Sequence, residues 1–310
     1  MKKVLVTGAA GAVGLSLIKY LLAEGKYEIT ALDLKNKKVY KRLKRYRKRI
    51  NIVYGDVLDR PLVENLVKDS DVVIHLSTCL PPLAEYKKDL VDMIEYNGTE
   101  NIVRAINYYN PKCYLVYAST TSLYKNNEGH VDNKIKLGDY DYYNEAKYNS
   151  EKLIIKKAKN HTIIRVPLVL SDLRCESFIY NLKKDDIIEF ISKEDAAYAF
   201  CRTLDKQNVL NKKIINIGGG ATCRSTYREL LINILKYHGI SFNYLLTMIF
   251  IAKNYTSPVL LDSDKANEIL NFRNDSVQSY LMRQKRRSHK RKVAIVFGKP
   301  FIWLLQRKVK

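Results

Sequence analysis

Short apolar runs alternate with longer stretches of helical periodicity over the first half of the chain, and this pattern limits the fold most strongly. The apolar runs are Val4–Val6, Ile29–Leu32, Ile52–Tyr54, Val72–Leu76, Tyr114–Tyr117 and Thr162–Val166. The amphipathic stretches between them are Ala12–Ala23, Pro61–Val67, Leu90–Tyr108 and Asn144–Ala158, whereas Lys35–Arg49 is mainly charged. Continuous Val-, Ile- and Leu-rich runs between helices are typical of parallel strands buried on both faces. We therefore expect an α/β fold with a doubly wound parallel sheet.

The order of elements loosens after Pro167, which suggests a smaller second lobe. A helix is predicted at Glu194–Leu204, an apolar run lies at Ile214–Ile217, and further helical stretches follow. We predict a sheet domain over 1–166, a substrate lobe over 167–282 that is interleaved with it, and a basic and apolar C-terminal tail over 283–310.

The net charge of +22 is concentrated in two segments. Residues 34–50 hold ten Lys and Arg and no acid, residues 283–310 hold eleven and no acid, and the rest of the chain is nearly neutral. Such clusters can meet phosphate, anionic lipid or nucleic acid, although a solvated surface is the simpler interpretation of the first one. Apart from charge and a few aromatics, the chain has no motif typical of nucleic-acid binding, so we do not expect nucleic acid as a partner.

The five cysteines are spread singly, without a CxxC pair or a histidine at metal-ligand spacing. This pattern predicts free thiols in a reducing compartment and no bound metal. The chain passes from Met-Lys-Lys straight into an apolar run, which is not a secretory signal. No stretch reaches the roughly 20 apolar residues that a membrane-spanning helix needs. We therefore expect a cytoplasmic protein.

The first apolar run leads into a glycine-rich turn. Gly8 permits a sharp turn, Gly11 lets the backbone approach a pyrophosphate, and Gly14 lets the next helix pack close to the strand. The N-terminus of that helix offers amide donors and the positive end of its dipole. Asp33 ends the second apolar run, where a carboxylate can accept hydrogen bonds from the adenosine ribose. The combination predicts a Rossmann-type dinucleotide site.

A tyrosine and a lysine four residues apart are candidates for acid–base chemistry. Tyr143 and Lys147 lie on one face of a predicted helix. A phenol has a pKa of about 10, but a nearby ammonium favours the phenolate and brings it into the working range. Tyr148 and Lys152 form a second pair, and with 23 tyrosines in the chain the spacing alone is weak evidence. The Ser- and Thr-rich segment 116–124 supplies a hydroxyl that would share the substrate oxygen.

Together these motifs resemble the NAD-dependent epimerase/dehydratase branch of the extended short-chain dehydrogenases/reductases. Thr7–Gly14 matches the family's glycine motif TGxxGxxG, and Asp56-Val57 matches its adenine-contacting Asp–hydrophobe pair. Asp71–Leu76 resembles the family's fourth strand, and Asn97–Asn101 resembles its N-x-x-G-T-x-N helix. Its pattern Y-x-x-x-K-x-x-x-E, which ends here at Glu151, selects Tyr143 over Tyr148. The similarity continues through Arg165–Pro167, Ile191–Ala197 and Asn216–Gly218, and so covers residues 1 to about 220.

The resemblance implies a set of functional residues. The family's catalytic hydroxyl lies four residues before the tyrosine of its V-Y-G motif, which selects Thr120, with Ser119 and Ser122 as alternatives. Tyr143 and Lys147 complete the catalytic set, and Lys147 also binds the nicotinamide ribose. His75 is expected to be a core or ribose-side residue. The residues expected to bind NAD are Gly8, Ala10, Gly11, Ala12, Val13, Asp33, Asp56, Val57, Leu76, Ser77, Asn97 and Lys147.

Departures from the family bear on the loop geometry and the substrate. Lys125 stands where the family has the glycine of V-Y-G, and residues 168–172 replace its N-x-Y-G-P. Only 27 residues separate Pro167 from Asp195, where nucleotide-sugar enzymes usually carry a longer stretch. We expect a nucleotide-sugar epimerase or dehydratase first, and a reductase or dehydrogenase of a smaller carbonyl or alcohol as the alternative. A non-catalytic dinucleotide sensor is a third interpretation, against which the intact Thr120, Tyr143 and Lys147 set argues.

Two interaction surfaces are also expected. Enzymes of this family commonly dimerise through the helix that bears the tyrosine, which implies a homodimer. In the tail, a basic run precedes Val293–Phe297 and Phe301–Leu305, a combination that suits the surface of an anionic membrane. The alternative is that the second apolar patch packs onto the protein and the basic run is a solvated linker.

Overall fold

The computed structural model describes residues 1–79, 87–124, 142–171, 185, 187–237 and 262–288. Its strands are β1 Lys2–Thr7, β2 Tyr27–Asp33, β3 Asn51–Tyr54, β4 Val72–His75, β5 Tyr114–Thr120, β6 His161–Val166, β7 Leu168–Leu170, β8 Ile187–Ser192, β9 Lys213–Asn216 and β10 Arg224–Thr226. Its helices are α1 Ala12–Glu24, α2 Lys37–Leu43, α3 Arg60–Lys68, α4 Lys88–Asp92, α5 Gly98–Tyr109, α6 Tyr142–Lys157, α7 Lys193–Thr203, α8 Gln207–Leu210, α9 Tyr227–Tyr237, α10 Ser263–Leu270 and α11 Val277–Ser288.

Seven strands form a parallel sheet in the order β3-β2-β1-β4-β5-β6-β9. The strand order reverses between β1 and β4, which is the point where open α/β sheets of this type bind ligands. Each of the six apolar runs of the first half contributes a strand, so the predicted Rossmann-type doubly wound sheet is confirmed. The chain folds this way because consecutive residues of these strands are apolar, so both faces of the sheet are buried under helices.

Helices cover both faces of the sheet and divide the core in two. On β1, Val4 and Val6 pack in the cluster that includes α1 and α7, whereas Leu5 packs in the cluster that includes α3 and α5. The charged segment 35–49 also contributes to the core, because α2 and the 3₁₀ turn Lys44–Tyr46 bury Val39, Leu43 and Tyr46. These three apolar side chains recur at helical spacing and pack in the same core cluster as α1.

The residues after Pro167 form a small second sheet and also return to the large one. Strands β10, β8 and β7 form a separate three-stranded sheet, in which β10 runs antiparallel to β8. The apolar run Ile214–Ile217, which the sequence placed among the elements of the smaller lobe, overlaps β9 instead. Strand β9 pairs in parallel with β6 and extends the large sheet.

The described part of the chain contains no helix long and apolar enough to cross a bilayer. Cys79, Cys113, Cys201 and Cys223 are free and buried, as predicted, and Cys175 lies outside the described residues. Burial raises the pKa of the Cys113, Cys201 and Cys223 thiols to about 12, which makes these three groups poor nucleophiles.

Candidate functional site

The glycine turn between β1 and α1 is packed tightly against the end of β4. Gly8 has a φ of +64°, and a Cβ placed on it would lie 2.7 Å from the Leu76 carbonyl carbon. A Cβ on Gly14 would lie 2.6 Å from the Gly8 carbonyl oxygen. Gly11 is the N-cap of α1, and no side chain of the described residues caps the helix there. The first-turn amides at Ala12 and Val13 have no intrahelical acceptor and remain able to bind an anion.

Asp33 holds the same turn from the end of β2. Its Oδ2 accepts a hydrogen bond of 2.7 Å from the Ala10 amide, and its Oδ1 accepts one of 2.8 Å from the Leu34 amide. Burial raises the pKa of the Asp33 carboxyl above its ordinary value, although these two bonds act in the opposite direction. Arg42 of α2 donates from Nη1 to the Ala10 carbonyl oxygen at 2.8 Å, so a cation also lies beside the turn. Asp33 and Ala10 are therefore adjacent, as a dinucleotide site requires.

The end of β4 is fixed through the side chains of Thr7 and His75. Thr7 Oγ1 accepts from the Leu76 and Ser77 amides at 3.2 and 3.3 Å and lies 2.7 Å from His75 Nδ1. Thr99 Oγ1 lies 3.2 Å from His75 Nε2. Burial, together with the nearby Lys147 ammonium, lowers the pKa of His75 to about 3. His75 is thus a neutral core residue, which agrees with one of the two positions expected for it.

The remaining cofactor-binding candidates, Asp56, Val57 and Asn97, differ in how far they are buried. Asp56 Oδ1 accepts from the Leu58 amide at 3.0 Å, and Val57 is buried, with its carbonyl oxygen 3.1 Å from Asn101 Nδ2. Asn97, at the end of a π-helical turn, is exposed. The π-helical turn, Met93–Asn97, interrupts the helix that the sequence predicted over Leu90–Tyr108. The buried charged residue of that turn is Glu95.

Helix α6 carries the two residues expected to perform acid–base chemistry. Lys147 is fully buried, and its Nζ lies 5.9 Å from the centroid of the Tyr143 ring and 4.8 Å from that of Tyr117. The same nitrogen donates a hydrogen bond of 2.8 Å to the Ala118 carbonyl oxygen on β5. Lys152 of the alternative pair is exposed, and its Nζ lies 4.3 Å from the centroid of the Tyr148 ring. The burial pattern therefore favours Tyr143 and Lys147.

The hydroxyl candidates lie where β5 ends. Thr120 Oγ1 is 2.7 Å from Ser122 Oγ, which donates to Asn144 Oδ1 at 2.5 Å. Because Asn144 follows Tyr143, this chain of contacts joins Thr120 to the start of α6. Ser119 is buried, and its Oγ has no hydrogen-bond partner among the described residues. Thr120 is half-buried and is therefore the more accessible of these two hydroxyls.

Glu95 is a residue of this site that the sequence analysis missed. Its Oε2 lies 2.8 Å from Lys147 Nζ, and its Oε1 accepts from Thr78 Oγ1 and from the Cys79 amide at 2.6 and 2.8 Å. The contact with Lys147 is an ion pair by distance rather than a well-directed hydrogen bond. The spacing of N-x-x-G-T-x-N indicates this position: counted back from Gly98 and Thr99, the motif begins at Glu95, so Asn97, which the sequence analysis matched to its start, stands at the third position.

The charge of Lys147 is stabilised in spite of burial. Burial is the largest single effect and acts to lower the pKa of the Lys147 ammonium, but the Glu95 carboxylate, Tyr117 and Tyr143 together outweigh it. The net effect raises the pKa above its ordinary value, so Lys147 stays charged. A buried ammonium beside a phenol favours the phenolate form.

A second buried ion pair braces the same helix away from the reacting groups. Arg165 of β6 binds both carboxylate oxygens of Glu151, at 2.9 Å from Nε and 2.5 Å from Nη2. Its Nη1 donates to the Tyr124 hydroxyl at 2.9 Å, and that hydroxyl donates to Asn216 Oδ1 at 2.8 Å. Glu151 and Tyr124, which both belong to family motifs, therefore connect α6, β6 and β9 through Arg165 and Asn216.

The family model for the 3-beta hydroxysteroid dehydrogenase/isomerase family matches residues 5–213. One curated relative is the UDP-N-acetyl-alpha-D-glucosaminuronate decarboxylase of Bacillus cytotoxicus, 32% identical over 129 residues, which are 40% of this chain and 38% of that protein. Another is the dTDP-glucose 4,6-dehydratase of Mycolicibacterium smegmatis, 31% identical over 156 residues, which are 48% of this chain and 45% of that protein. The matches span half or less of the length of these relatives.

Solved structures share the fold over nearly the whole chain. The UDP-glucuronic acid 4-epimerase of Bacillus cereus, in complex with UDP-glucuronic acid and NAD, has a TM-score of 0.75 at 20% identity. That match covers 93% of this chain and 99% of the epimerase chain. The dTDP-glucose 4,6-dehydratase of Bacillus anthracis, in complex with NAD, has a TM-score of 0.76 at 15% identity and covers 94% and 97% of the two chains.

The matched family model extends over most of the elements that form the site, from β1 to β9. The motifs that predicted an extended short-chain dehydrogenase/reductase lie within that range, apart from Asn216–Gly218, which follows it. The chain therefore belongs to the 3-beta hydroxysteroid dehydrogenase/isomerase family, which confirms the extended short-chain dehydrogenase/reductase type that its motifs predict.

Proposed function

We propose that this chain binds NAD at the turn between β1 and α1 and acts as an epimerase or dehydratase on a nucleotide-activated sugar. The observation that carries the proposal is the buried Lys147 ammonium, which lies on the same helix face as Tyr143 and beside the strand end that bears Thr120. Curated relatives named as a decarboxylase, a dehydratase and an epimerase of nucleotide sugars support the substrate class.

The residues of the turn fit a dinucleotide. Gly11 leaves the space above the N-terminus of α1 free of a side chain, and the amides of Ala12 and Val13 are available to a pyrophosphate. Each oxygen of Asp33 accepts one backbone bond and keeps a lone pair for a ribose hydroxyl. Leu76 and Ser77 close the other side of the cleft, where their amides are fixed by Thr7. Asp56, Val57 and Asn97 remain proposed adenine-side and cofactor contacts.

The proposed chemistry is proton transfer at the Tyr143 hydroxyl oxygen. Bound NAD would supply the oxidised nicotinamide ring that takes a hydride from the substrate carbon. Tyr143, as phenolate, takes the proton of the substrate hydroxyl at that carbon, and it returns a proton when the carbonyl is reduced. Lys147 stabilises the phenolate by its charge, and Thr120 turns its hydroxyl proton from Ser122 to the same substrate oxygen. The Glu151–Arg165 pair holds α6 in place and takes no part in proton transfer.

A second candidate is a dehydrogenase or reductase that releases its cofactor after each turnover. The matched family, whose description names a hydroxysteroid dehydrogenase/isomerase, favours it. The short stretch between Pro167 and Asp195 also favours a smaller substrate than a nucleotide sugar. Both candidates use the same proton transfer at Tyr143, so they differ in substrate and in how tightly the cofactor is held.

Mass spectrometry of the small molecules released from the purified, denatured protein separates the candidates. We expect stoichiometric NAD, accompanied by a nucleotide sugar. Release of NADH into solution during oxidation of an alcohol, or consumption of added NADH during reduction of a carbonyl, would instead support the second candidate. A protein that neither carries nor binds either dinucleotide would contradict both.

We also propose that the chain forms a homodimer through α5 and α6. The Asn107 side-chain amide donates to the Lys157 carbonyl oxygen and holds the ends of these helices together. Tyr108 and Ile155 are exposed on this pair of helices, with 80% and 53% of their surfaces accessible. Exposed large apolar side chains on adjacent helices suit an interface between two copies. The mass of the particle in solution, measured by light scattering, tests the proposal.

The C-terminal tail is proposed to contact anionic membrane surfaces. Helix α11 includes the start of the basic run, and Arg283 is already paired there with Asp275, at 2.6 Å from Nη2 to Oδ2. Residues 289–310 lie outside the described part of the chain. Their sequence combines basic residues with Phe301–Leu305, and each Lys or Arg near anionic lipid contributes about 1 kcal/mol.

Co-sedimentation with vesicles that contain phosphatidylserine tests the tail directly. The full chain should pellet, and a chain that ends at Ser288, which keeps the whole of α11, should remain in the supernatant. Part of the binding should persist at high salt, because apolar insertion is not screened. Equal pelleting of the two proteins, or none of either, would remove the membrane proposal.

A further inference from the structure

The ion pair between Glu95 and Lys147 is not required by tyrosine–lysine chemistry. Both side chains are almost completely buried, with 1% and 2% of their surfaces exposed, and the charged atoms lie 2.8 Å apart. Removing two charges from water costs several kcal/mol for each ion, so such pairs persist where geometry and further hydrogen bonds compensate. A buried acid beside Lys147 therefore needs compensating hydrogen bonds.

Glu95 is held on both sides by groups that bind its carboxylate or its carbonyl. Thr78 and the Cys79 amide donate to Oε1, so one oxygen is fixed by the segment that follows β4. The π-helical turn alters the usual helix bonding, and the Glu95 carbonyl oxygen accepts from Thr99 Oγ1 at 2.5 Å and Ser150 Oγ at 2.9 Å. The carboxylate thus bridges the chain just beyond Leu76 and Ser77 to the ammonium on α6.

The other titratable groups around this pair contribute little charge. His75 of β4 is neutral, since its pKa is lowered to about 3. Burial raises the pKa of Tyr117, on β5, to about 12, and it also raises the pKa of the Cys79 thiol. Among these facing groups the charged members are Lys147 and Glu95, with Tyr143 as the phenol beside them. On the side that faces the ion pair, the charge next to Tyr143 is therefore set by Lys147 and Glu95. Helix α4, whose Leu90 and Val91 pack near Tyr143, also carries Lys88, Asp89 and Asp92, and Glu145 lies on α6; these four charges are unchanged in the variants below.

We infer that Glu95 is a positioning residue of this site, which ties Lys147 to the cofactor-side segment 76–79 and offsets part of the positive charge that Lys147 presents to Tyr143. The inference rests on the proposed function of Tyr143 and Lys147. The family motif has a neutral asparagine at this position, so this chain has an added negative charge there. Tyr143 consequently ionises at a higher pH than it would beside an unopposed lysine.

The ionisation of Tyr143 can be measured without substrate, cofactor or turnover. Tyrosine labelled with ¹³C at Cζ reports phenol ionisation by NMR, and the signal that disappears in Tyr143→Phe is that of Tyr143. The titration is repeated in Glu95→Gln, which keeps an acceptor for Thr78 and Cys79 but removes the charge. Lys147 keeps the Ala118 carbonyl oxygen and the rings of Tyr117 and Tyr143 as partners in this variant, so we expect it to stay charged. The Tyr143 midpoint should then fall by about one pH unit, the scale of a nearby charge. Glu95→Asn, the residue of the motif itself, should shift in the same direction and serves if Glu95→Gln does not fold.

Glu151→Gln is the matched control, because it breaks a buried ion pair on the same helix that faces Arg165 instead of Lys147. It should lower stability without moving the Tyr143 midpoint. An unchanged or higher midpoint in both Glu95 variants would overturn the inference. Failure of the proposed function would look different: Tyr143→Phe would keep full turnover, while the midpoint shift in Glu95→Gln would still be measurable.

Discussion

At the scale of single residues, the site depends on pairs in which one group fixes the charge or the proton of another. Lys147 stays charged in spite of burial because Glu95, Tyr117 and Tyr143 together raise its pKa. His75 stays neutral because it is fully buried near that ammonium. The Thr7 hydroxyl oxygen accepts hydrogen bonds from two backbone amides, so its own proton is donated to His75 Nδ1. Nδ1 is therefore assigned as an acceptor without a proton.

The first prediction concerns the choice between NAD and NADP. Asp33 should repel a 2′-phosphate, whereas Arg42, beside the same turn, would attract it. Like charges at close range cost several kcal/mol, so we expect Asp33→Asn to narrow the preference for NAD⁺ by about tenfold or more. Calorimetric titration with both cofactors measures the ratio, and Glu28→Gln, an exposed acid on the same strand, should leave it unchanged. Tighter binding of NADP⁺ by the unmodified protein would refute the assignment.

The second prediction concerns stability below neutral pH. In the unfolded chain the histidine takes up a proton near its ordinary pKa of 6.5, but folded His75 does so only at about 3. Stability from neutral His75 is therefore complete above about pH 6.5 and is lost as the pH falls, by about 2 kcal/mol between pH 7 and pH 5. Urea unfolding at both pH values measures this loss. Asp195 acts in the opposite sense, because burial raises its pKa to about 6.

The histidine term is isolated by comparison with His75→Gln. That variant has no imidazole to titrate, so its stability should fall less between pH 7 and pH 5 than that of the unmodified protein, even if it is less stable at pH 7. The contribution of Asp195 is the same in both proteins and cancels. Equal losses in the two proteins would show that His75 is not the group responsible.

At the scale of secondary-structure elements, the sequence predicts the strands and helices that a local pattern of apolar residues determines. The six apolar runs of the first half became strands of the large sheet because buried parallel strands need continuous apolar residues. The small strands β7 and β10 have three residues each, which is too short to show a period, and Arg224–Thr226 is also entirely polar. The π-helical turn at Met93–Asn97 also has no local signal, since the contacts of Glu95 with α6 and with Cys79 hold it. Those contacts join segments far apart in the chain.

The tight packing of the glycine turn gives a prediction at this scale. Gly8 and Gly25 both have left-handed backbone, with φ of +64° and +68°, but a Cβ on Gly25 would meet nothing within 4 Å. Gly25→Ala should therefore cost about 1 kcal/mol of unfolding free energy for the backbone alone. Gly8→Ala should cost about 1–3 kcal/mol more, because its Cβ would press on the Leu76 backbone. Equal losses in urea unfolding would mean that β4 does not close on the turn as described.

At the scale of the whole molecule, the topology of the sheet explains why distant motifs form one site. Strand β1 lies between β2 and β4, and β5 lies beside β4, so the carboxyl ends of all four strands lie at one edge. Gly8, Asp33, Leu76 and Thr120 each stand at or just beyond such an end, and the α6 helix brings Tyr143 and Lys147 to the same edge. The strand order could be anticipated from the family's fold, but the depth at which Lys147 is buried could not, because it depends on the pairing with Glu95.

The central claim is that Tyr143 transfers the proton in an NAD-dependent reaction, and Tyr143→Phe tests it most directly. Conversion of UDP- and dTDP-sugars with NAD⁺ is measured beside the calorimetric affinity for NAD⁺, with Tyr148→Phe as the matched control. We expect Tyr143→Phe to lose about 10²–10⁴-fold in turnover, the usual share of a positioned acid–base group, while its NAD⁺ affinity stays nearly unchanged. Tyr148→Phe should retain activity. Full turnover in Tyr143→Phe, with loss in Tyr148→Phe, would contradict the account.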